Sequence, residues 1–387
     1  MSSIKLLLIT NRYPAHQDDG ASPFVSDFVE GLRSRGIDCT VLTPYHQASH
    51  YDHDDAVVRF HWGEEKRTIG SLPMCRPTSW LKIRQYMRRG YDRAAALHRE
   101  KRFDFCLALW AAPSGIFARR LNIEFGLPYA VWCLGSDIHT YARLPILRKI
   151  IRDVLVGSAR VFCDGYGLGE QAQALAGCEC HFLPSLRRVT RLSRSEAVPR
   201  ENLFVCPGRV ERSKGVFDLL EAFGAIASDF PDWSLAYIGD GRARKKLEKL
   251  IETSGLGRQV KSLGFLPSDG MFRSIESARA VVIPTWSDSL PLTFGEAMQL
   301  ERPVIVTDVG DLRRFTERYH VGVVVPPASP AQLAAALRRF IEENRDYGNG
   351  FDECVRELDV DVAAERFLAW LADTGVDRVV PAAGVMC

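Results

Sequence analysis

Short apolar runs recur along the chain, each followed by a stretch in which apolar residues return at helical spacing. Ile4–Thr10 is a continuous run of the kind a buried strand uses. After a polar loop, Phe24, Val25, Phe28, Val29 and Leu32 return every three or four positions, which predicts a helix. Ser22 stands where an N-cap belongs, Pro23 suits the first helical position and Gly36 supplies the stop. Further strands are predicted at Cys39–Thr43, Asp104–Leu109, Tyr129–Leu134, Arg160–Cys163 and Glu179–Leu183. The pattern restarts at Leu203–Cys206 and continues through Leu235–Ile238, Val260–Leu263, Ala280–Pro284, Val304–Thr307 and Val321–Val325. Helices are predicted over Val216–Ala227, Ala243–Glu252, Pro291–Leu300 and Pro330–Glu343. Unbroken alternation of hydrophobic strands with helices is the pattern of parallel sheets covered on both faces.

A chain of 387 residues exceeds one ordinary core, and the repeated pattern divides it in two. Pro184–Arg200, rich in Arg, Ser and Pro and without periodicity, reads as the linker. The expected domains are residues 1–190 and 191–345, followed by a C-terminal segment, 346–387. That segment carries a last amphipathic helix at Val362–Leu371, expected to pack back across the cleft between the domains. Two Rossmann-like domains facing one another would hold a ligand between the carboxyl ends of their sheets.

Charge changes this picture little. The 50 Lys and Arg nearly balance 48 Asp and Glu, which argues against wholesale nucleic-acid binding. The first 190 residues nevertheless hold 25 basic against 19 acidic side chains, many of the basic ones between Lys82 and Arg120. A solvated helix face explains such a run, and so does a surface that meets anionic lipid or an anionic acceptor. No apolar run reaches the length needed to span a bilayer, and Met1–Thr10 reads as a strand, without the basic leader of a signal peptide. Cysteines such as Cys39, Cys106, Cys133, Cys163 and Cys206 stand singly in apolar stretches, as reduced buried thiols do. Cys178, Cys180 and His181 lie on an alternating strand with no second ligand pair at zinc-site spacing. The aspartates Asp18, Asp19, Asp52, Asp54 and Asp55 read as solvated loop charge. The expectation is a cytoplasmic protein without metal or other cofactor, peripheral at the inner face of a membrane if it touches one.

The chemistry is written mainly in the second half. The strand Leu203–Cys206 runs into Pro207-Gly208-Arg209-Val210-Glu211-Arg212-Ser213-Lys214-Gly215, a loop whose glycines allow close approach and whose cations suit a diphosphate. Solvated loop cations are the plain alternative. Gly239-Asp240-Gly241 departs from a dinucleotide fingerprint because Arg244 occupies its last glycine position, so a nicotinamide oxidoreductase is weakly supported. In Pro284–Met298 a strand ends in a polar turn holding Asp288, and a helix starts near Pro291. The free N–H groups of Leu292 and Thr293 at that helix start favour phosphate. Glu296, among apolar helix neighbours, needs a partner, which a ribose diol would supply. The alternative gives Asp288 the helix cap and Glu296 a structural hydrogen bond.

The order Gly208-Arg209…Lys214-Gly215, Ile238-Gly239-Asp240-Gly241, Leu263-Gly264, then Pro284…Asp288…Glu296-Ala297-Met298…Pro303-Val304 resembles the family-4 retaining glycosyltransferases. The match covers nearly the whole chain and is most specific over residues 200–343. The resemblance implies a GT-B fold, two Rossmann-like parallel-sheet domains about an interdomain cleft. It also implies transfer of a sugar from a UDP-, GDP- or ADP-sugar to a glycan or lipid-linked saccharide. It places Gly208, Arg209 and Lys214 at the donor diphosphate, Glu296 at the ribose and Asp288 beside the transferred sugar. Gly239, Gly264, Phe265 and Leu266 fall on the donor side, the last three where backbone contacts meet the base. Gly20 and Ser22 resemble the glycine-rich loop after the first strand, with Ser22 also suited to cap the next helix. Three positions depart from the family: Asp288 replaces a glutamate, Leu290-Pro291 stands near where glycine is usual, and Leu134 replaces a histidine. Asp137 is then the best substitute for a polar catalytic contact, with His139 second. An epimerase or phosphorylase of the same fold, or a non-catalytic nucleotide-sugar-binding partner, are the rival functions.

Overall fold

The computed structural model describes residues 3–15, 22–47, 54–73, 76–189, 199–343, 345, 347, 348 and 350–373. The first sheet is built from β1 (Lys5–Ile9), β2 (Asp38–Pro44), β3 (Val57–Phe60), β4 (Phe105–Leu109), β5 (Tyr129–Cys133), β6 (Arg160–Cys163) and β7 (Cys180–Phe182). All its pairings are parallel, in the order β3-β2-β1-β4-β5-β6-β7. Between the strands run α1 (Pro23–Ser34), α2 (Pro77–Lys101), α3 (Ser114–Phe125), the short α4 (Ser136–His139), α5 (Pro145–Val156) and α6 (Tyr166–Ala176).

The second sheet repeats the plan with β8 (Leu203–Pro207), β9 (Ser234–Ile238), β10 (Val260–Gly264), β11 (Ala280–Ile283), β12 (Val304–Thr307) and β13 (Gly322–Val325), ordered β10-β9-β8-β11-β12-β13. Its helices are α7 (Val216–Gly224), α8 (Arg244–Thr253), α9 (Ser268–Ser277), α10 (Leu292–Gln299), α11 (Leu312–Arg318), α12 (Pro330–Glu343) and α13 (Gly350–Leu358), and α14 (Val360–Asp373) ends the described chain. Central strands β4, β5, β11 and β12 are buried at every residue, which is why they read as unbroken apolar runs and not as alternation.

The chain separates into two compact units, residues 1–185 with 360–387, and residues 186–359. The division falls earlier than the expected residue 190, because Ser185 is buried in the first unit and Leu186 in the second. The second unit also runs on to residue 359 and includes α13, an amphipathic helix inside a stretch whose polarity hides it from a periodicity reading. Only α14 belongs elsewhere. It packs on α1 and joins an aromatic cluster of the first unit: Phe367 lies 5.9 Å from Phe28 and from Phe162, and Trp370 lies 5.5 Å from Phe105. Phe28 in turn packs 4.9 Å from Trp132. Phe367 is fully buried, so the helix completes that core.

Two smaller expectations change. Ser22 precedes α1 but takes a left-handed backbone (φ 58°) and makes no side-chain cap, so the N-cap role fails there. The edge strand β3 follows a polar loop and is only half buried, which left it without a clear sequence signal.

Candidate active site

In each sheet the strand order reverses once, between β1 and β4 and between β8 and β11. Loops leaving those strands lie at the carboxyl edge of each sheet, where open α/β sheets bind ligands. In the second unit the turns after β8, β9 and β10 are laced by backbone hydrogen bonds. Gly208 donates to Ile238 O (2.9 Å), Val210 to Asp240 O (3.0 Å) and Gly239 to Gly264 O (2.7 Å). A side chain on Gly239 (φ 135°) would stand 2.0 Å from Gly208 O, so only glycine permits this approach. Likewise Gly215 (φ 68°) would place a Cβ 1.9 Å from Pro284 O, which fixes the loop after β8 against the end of β11.

That contact brings two of the expected donor residues together. Lys214 Nζ lies 2.6 Å from both carboxylate oxygens of Asp288, and Thr285 Oγ1 donates to Asp288 Oδ2 at 2.6 Å. The turn is braced further by Trp286, whose backbone N–H donates to Ser213 O (2.8 Å) and whose indole N–H donates to Asp218 (2.7 Å). Thr293 Oγ1 donates to Pro207 O at 3.4 Å, so the start of α10 sits at the same loop. Pro291 precedes α10 and no side chain caps the helix. Asp288 is therefore engaged by Lys214 and Thr285 and does not serve as the cap. Arg209 is not drawn into this cluster; its exposed guanidinium contacts Glu211 on its own loop at 3.3 Å. Phe265 is exposed just beyond β10, Leu266 is half-buried, and Gly264 adopts φ 72° beside the Arg244 guanidinium.

Glu296 is 4% exposed, on the inner face of α10. Its partner is Arg187, whose Nε stands 2.6 Å from Oε1, close enough for an ion pair although the N–H is not aimed along a hydrogen bond. Burial raises the carboxyl pKa of Glu296 above its ordinary value, and the Arg187 charge offsets part of that rise. Arg187 is itself placed by several groups. Its guanidinium lies 4.6 Å over the Phe272 ring and donates to Ser268 Oγ (3.3 Å), while Gln299 Nε2 donates to Arg187 O (2.8 Å). Gln299 Oε1 also accepts from Val189 N at 3.0 Å. Residues 187–189, assigned to a linker from composition, are thus a built part of the second unit. Arg187 is the residue that sequence reading missed, and its only signal was the need of Glu296 for a partner.

In the first unit Asp137 is fully buried and accepts backbone N–H bonds from Ala111 (2.9 Å), Ile138 (3.2 Å) and Leu134 (3.3 Å). Burial raises its pKa, against the pull of those donors. It ties the end of β4 to the start of α4, a positioning role, and offers no exposed oxygen to a substrate. His139 is half-buried, with Nδ1 3.0 Å from Gln171 Oε1. Gly20 lies outside the described residues. Among the described residues no three His, Cys, Asp or Glu side chains are grouped as metal ligands would be.

A family model described as "Glycosyl transferases group 1" matches residues 190–353, and one described as "Glycosyl transferase 4-like domain" matches residues 19–201. This chain belongs to the group 1 glycosyltransferases and has the GT-B fold. A Bacillus subtilis protein named as a teichuronic acid biosynthesis glycosyltransferase, TuaC, is 27% identical over 361 residues, 88% of this chain and 90% of that protein. Among solved structures, sucrose-phosphate synthase from Thermosynechococcus elongatus aligns with a TM-score of 0.75 at 18% identity, over 96% of this chain and all of that one. HepE from Anabaena in complex with UDP-glucose aligns with a TM-score of 0.74 at 14% identity, again over 96% of this chain and all of that one.

Proposed function

We propose that this chain moves a sugar from a UDP-, GDP- or ADP-sugar to a hydroxyl of a glycan or lipid-linked saccharide, with retention at the anomeric carbon. The observation that carries the reading is the Lys214–Asp288 pair beside the start of α10, at the point where the second sheet reverses its strand order. A departing diphosphate develops charge that fixed cations and a helix N-terminus stabilise without reorganisation. Lys214, Arg209 and the N–H groups of Leu292 and Thr293 take that task, with no metal ion needed. Gly208 and Gly239 let the phosphates approach backbone, and Gly264, Phe265 and Leu266 border the base. Glu296 takes the ribose diol, and Asp288, beside the transferred sugar, stabilises the oxocarbenium-like centre. Gly20 and Ser22 are further donor contacts implied by the resemblance, while in the first unit Asp137 holds the strand-end turn and His139 is the remaining polar candidate. Similarity to the teichuronic acid protein over 88% of the chain supports a place in polysaccharide or glycoconjugate biosynthesis. Incubating the protein with UDP-, GDP- and ADP-sugars and following donor loss by mass spectrometry is expected to select one nucleotide. No hydrolysis or transfer of any donor, despite nucleotide binding, would favour a non-catalytic binding partner.

The reading includes contact with an anionic membrane at the cytoplasmic face. No helix among the described residues is long and apolar enough to cross a bilayer. On and before α5, however, Leu144 and Ile146 are exposed beside exposed Arg143, Arg148, Lys149 and Arg152. A face combining protruding apolar groups with cations is suited to lie at a lipid surface. Sedimentation with phosphatidylglycerol vesicles is expected to carry the protein down, and Ile146→Glu, with the neighbouring charges unaltered, should leave the protein in solution. Equal sedimentation of both forms would remove the membrane from the reading.

A further inference from the structure

The guanidinium of Arg244, the first residue of α8, lies at the carboxyl edge of the second sheet, against the end of β10. A Cβ on Gly264 (φ 72°) would stand 2.9 Å from both of its terminal nitrogens, so a side chain there would displace it. Two carboxylates fix its position. Arg244 Nε donates to Glu248 Oε1 at 2.7 Å, and Nη1 stands 3.5 Å from Asp240 Oδ2. Glu248 is itself tied to β10, because its Oε1 also accepts from Ser262 Oγ at 3.2 Å. Neither carboxylate contact uses Nη2, and the Arg244 side chain is 33% exposed. A helical pair with Glu248 would form equally well with Arg244 directed into solvent. Here it is laid over a glycine on the neighbouring strand instead. Leu263 and Phe265, which flank that glycine, are both exposed. A strand end with two exposed apolar groups and a fixed fork of donors suits a planar heterocycle with polar edges.

We propose that Arg244 reads the base of the donor, so that the protein selects nucleotides whose base carries a carbonyl oxygen, uracil or guanine, over adenine. The inference rests on the proposed function, in which Gly264 borders the base, and it narrows the three candidate nucleotides to two. In the sheet order β10-β9-β8, the ends of β8 and β10 are two strand spacings apart, roughly 10 Å. A ribose can bridge that gap between a diphosphate at Lys214 and a base at Gly264. A guanidinium only donates. Guanine offers O6 and N7 to two of its N–H groups, and uracil offers a carbonyl oxygen. Adenine sets an amino group beside N7, so one of the donors of Arg244 would face another donor.

Calorimetric titration of the full chain with UDP, GDP and ADP tests this. UDP or GDP is expected to bind about tenfold more tightly than ADP, the lower part of the discrimination that a bidentate base contact gives. The tighter of the two identifies the base. Arg244→Gln is expected to bring ADP level with the others, because an amide offers one donor and one acceptor, the pattern that adenine matches. ADP should bind this variant at least as well as it binds the parent, which a damaged fold would not allow. Three results would overturn the proposal and leave the transferase reading in place. They are ADP binding the parent as tightly as the better of the other two, an unchanged ratio in Arg244→Gln, and an equal weakening of all three nucleotides in that variant. A parent protein that binds no nucleoside diphosphate would overturn the transferase reading, and this inference with it.

Discussion

Replacing Arg209 and Lys214 together with alanine is expected to abolish measurable nucleoside diphosphate binding while leaving the fold intact. Each side chain would give the diphosphate a charge-assisted contact worth about 1.5–3 kcal/mol, so losing both weakens binding by roughly two to four orders of magnitude. Lys214 should account for more of the loss. It already lies 2.6 Å from both oxygens of Asp288, so its removal also leaves that carboxylate uncompensated at the proposed phosphate position. Arg209, exposed and turned to Glu211, would have to swing toward the ligand and should contribute less. Calorimetry with UDP, GDP and ADP reads the result directly; affinity unchanged in the double variant would remove the donor-site assignment.

The second large effect concerns Arg187. Arg187→Met leaves Glu296 buried without its counter-charge, and breaking a buried pair costs about 3–5 kcal/mol. The sign of the pH dependence follows from the carboxyl. Burial already holds the Glu296 pKa above its ordinary value, and without Arg187 it rises further. The unfolded chain then ionises first as pH increases, so the variant loses stability between the unfolded and folded pKa values and regains it below them. Urea unfolding should therefore show a larger deficit near neutral pH than under mildly acidic conditions. The double change Arg187→Met/Glu296→Leu should recover much of the loss, because it removes both charges. A single variant as stable as the parent at every pH would show that the pair is not energetically coupled. Arg187 has a functional corollary as well: it favours the ionised form of Glu296, the form that would accept hydrogen bonds from a ribose diol in the proposed function.

The sheets were legible because their strands are buried on both faces and so appear as apolar runs, as in Phe105–Leu109 and Val304–Thr307. Strand order in space was not, since nothing in β8 or β11 says that they are neighbours. For that reason Lys214 and Asp288, 74 positions apart, could be chosen separately as donor residues but not foreseen as an ion pair. Arg187 stayed hidden because an Arg in a Pro- and Ser-rich stretch looks like solvated linker. Its burial depends on Phe272, Ser268 and Gln299, all remote in sequence. Asp137 was picked out by its place at a strand end, yet its three backbone donors depend on the turn geometry of Ala111 and Leu134.

The return of α14 to the first unit bears on how the protein is made. During synthesis the chain emerges in order, and domains generally fold as they appear. Here the first unit lacks Phe367 and Trp370 until residues 360–373 are added, leaving Phe28, Phe105 and Phe162 without their covering helix. The second unit, residues 186–359, is complete before that. Of the two units the one that begins first therefore finishes second, and a ribosome stalled just before residue 360 would carry a finished second unit behind an open aromatic face.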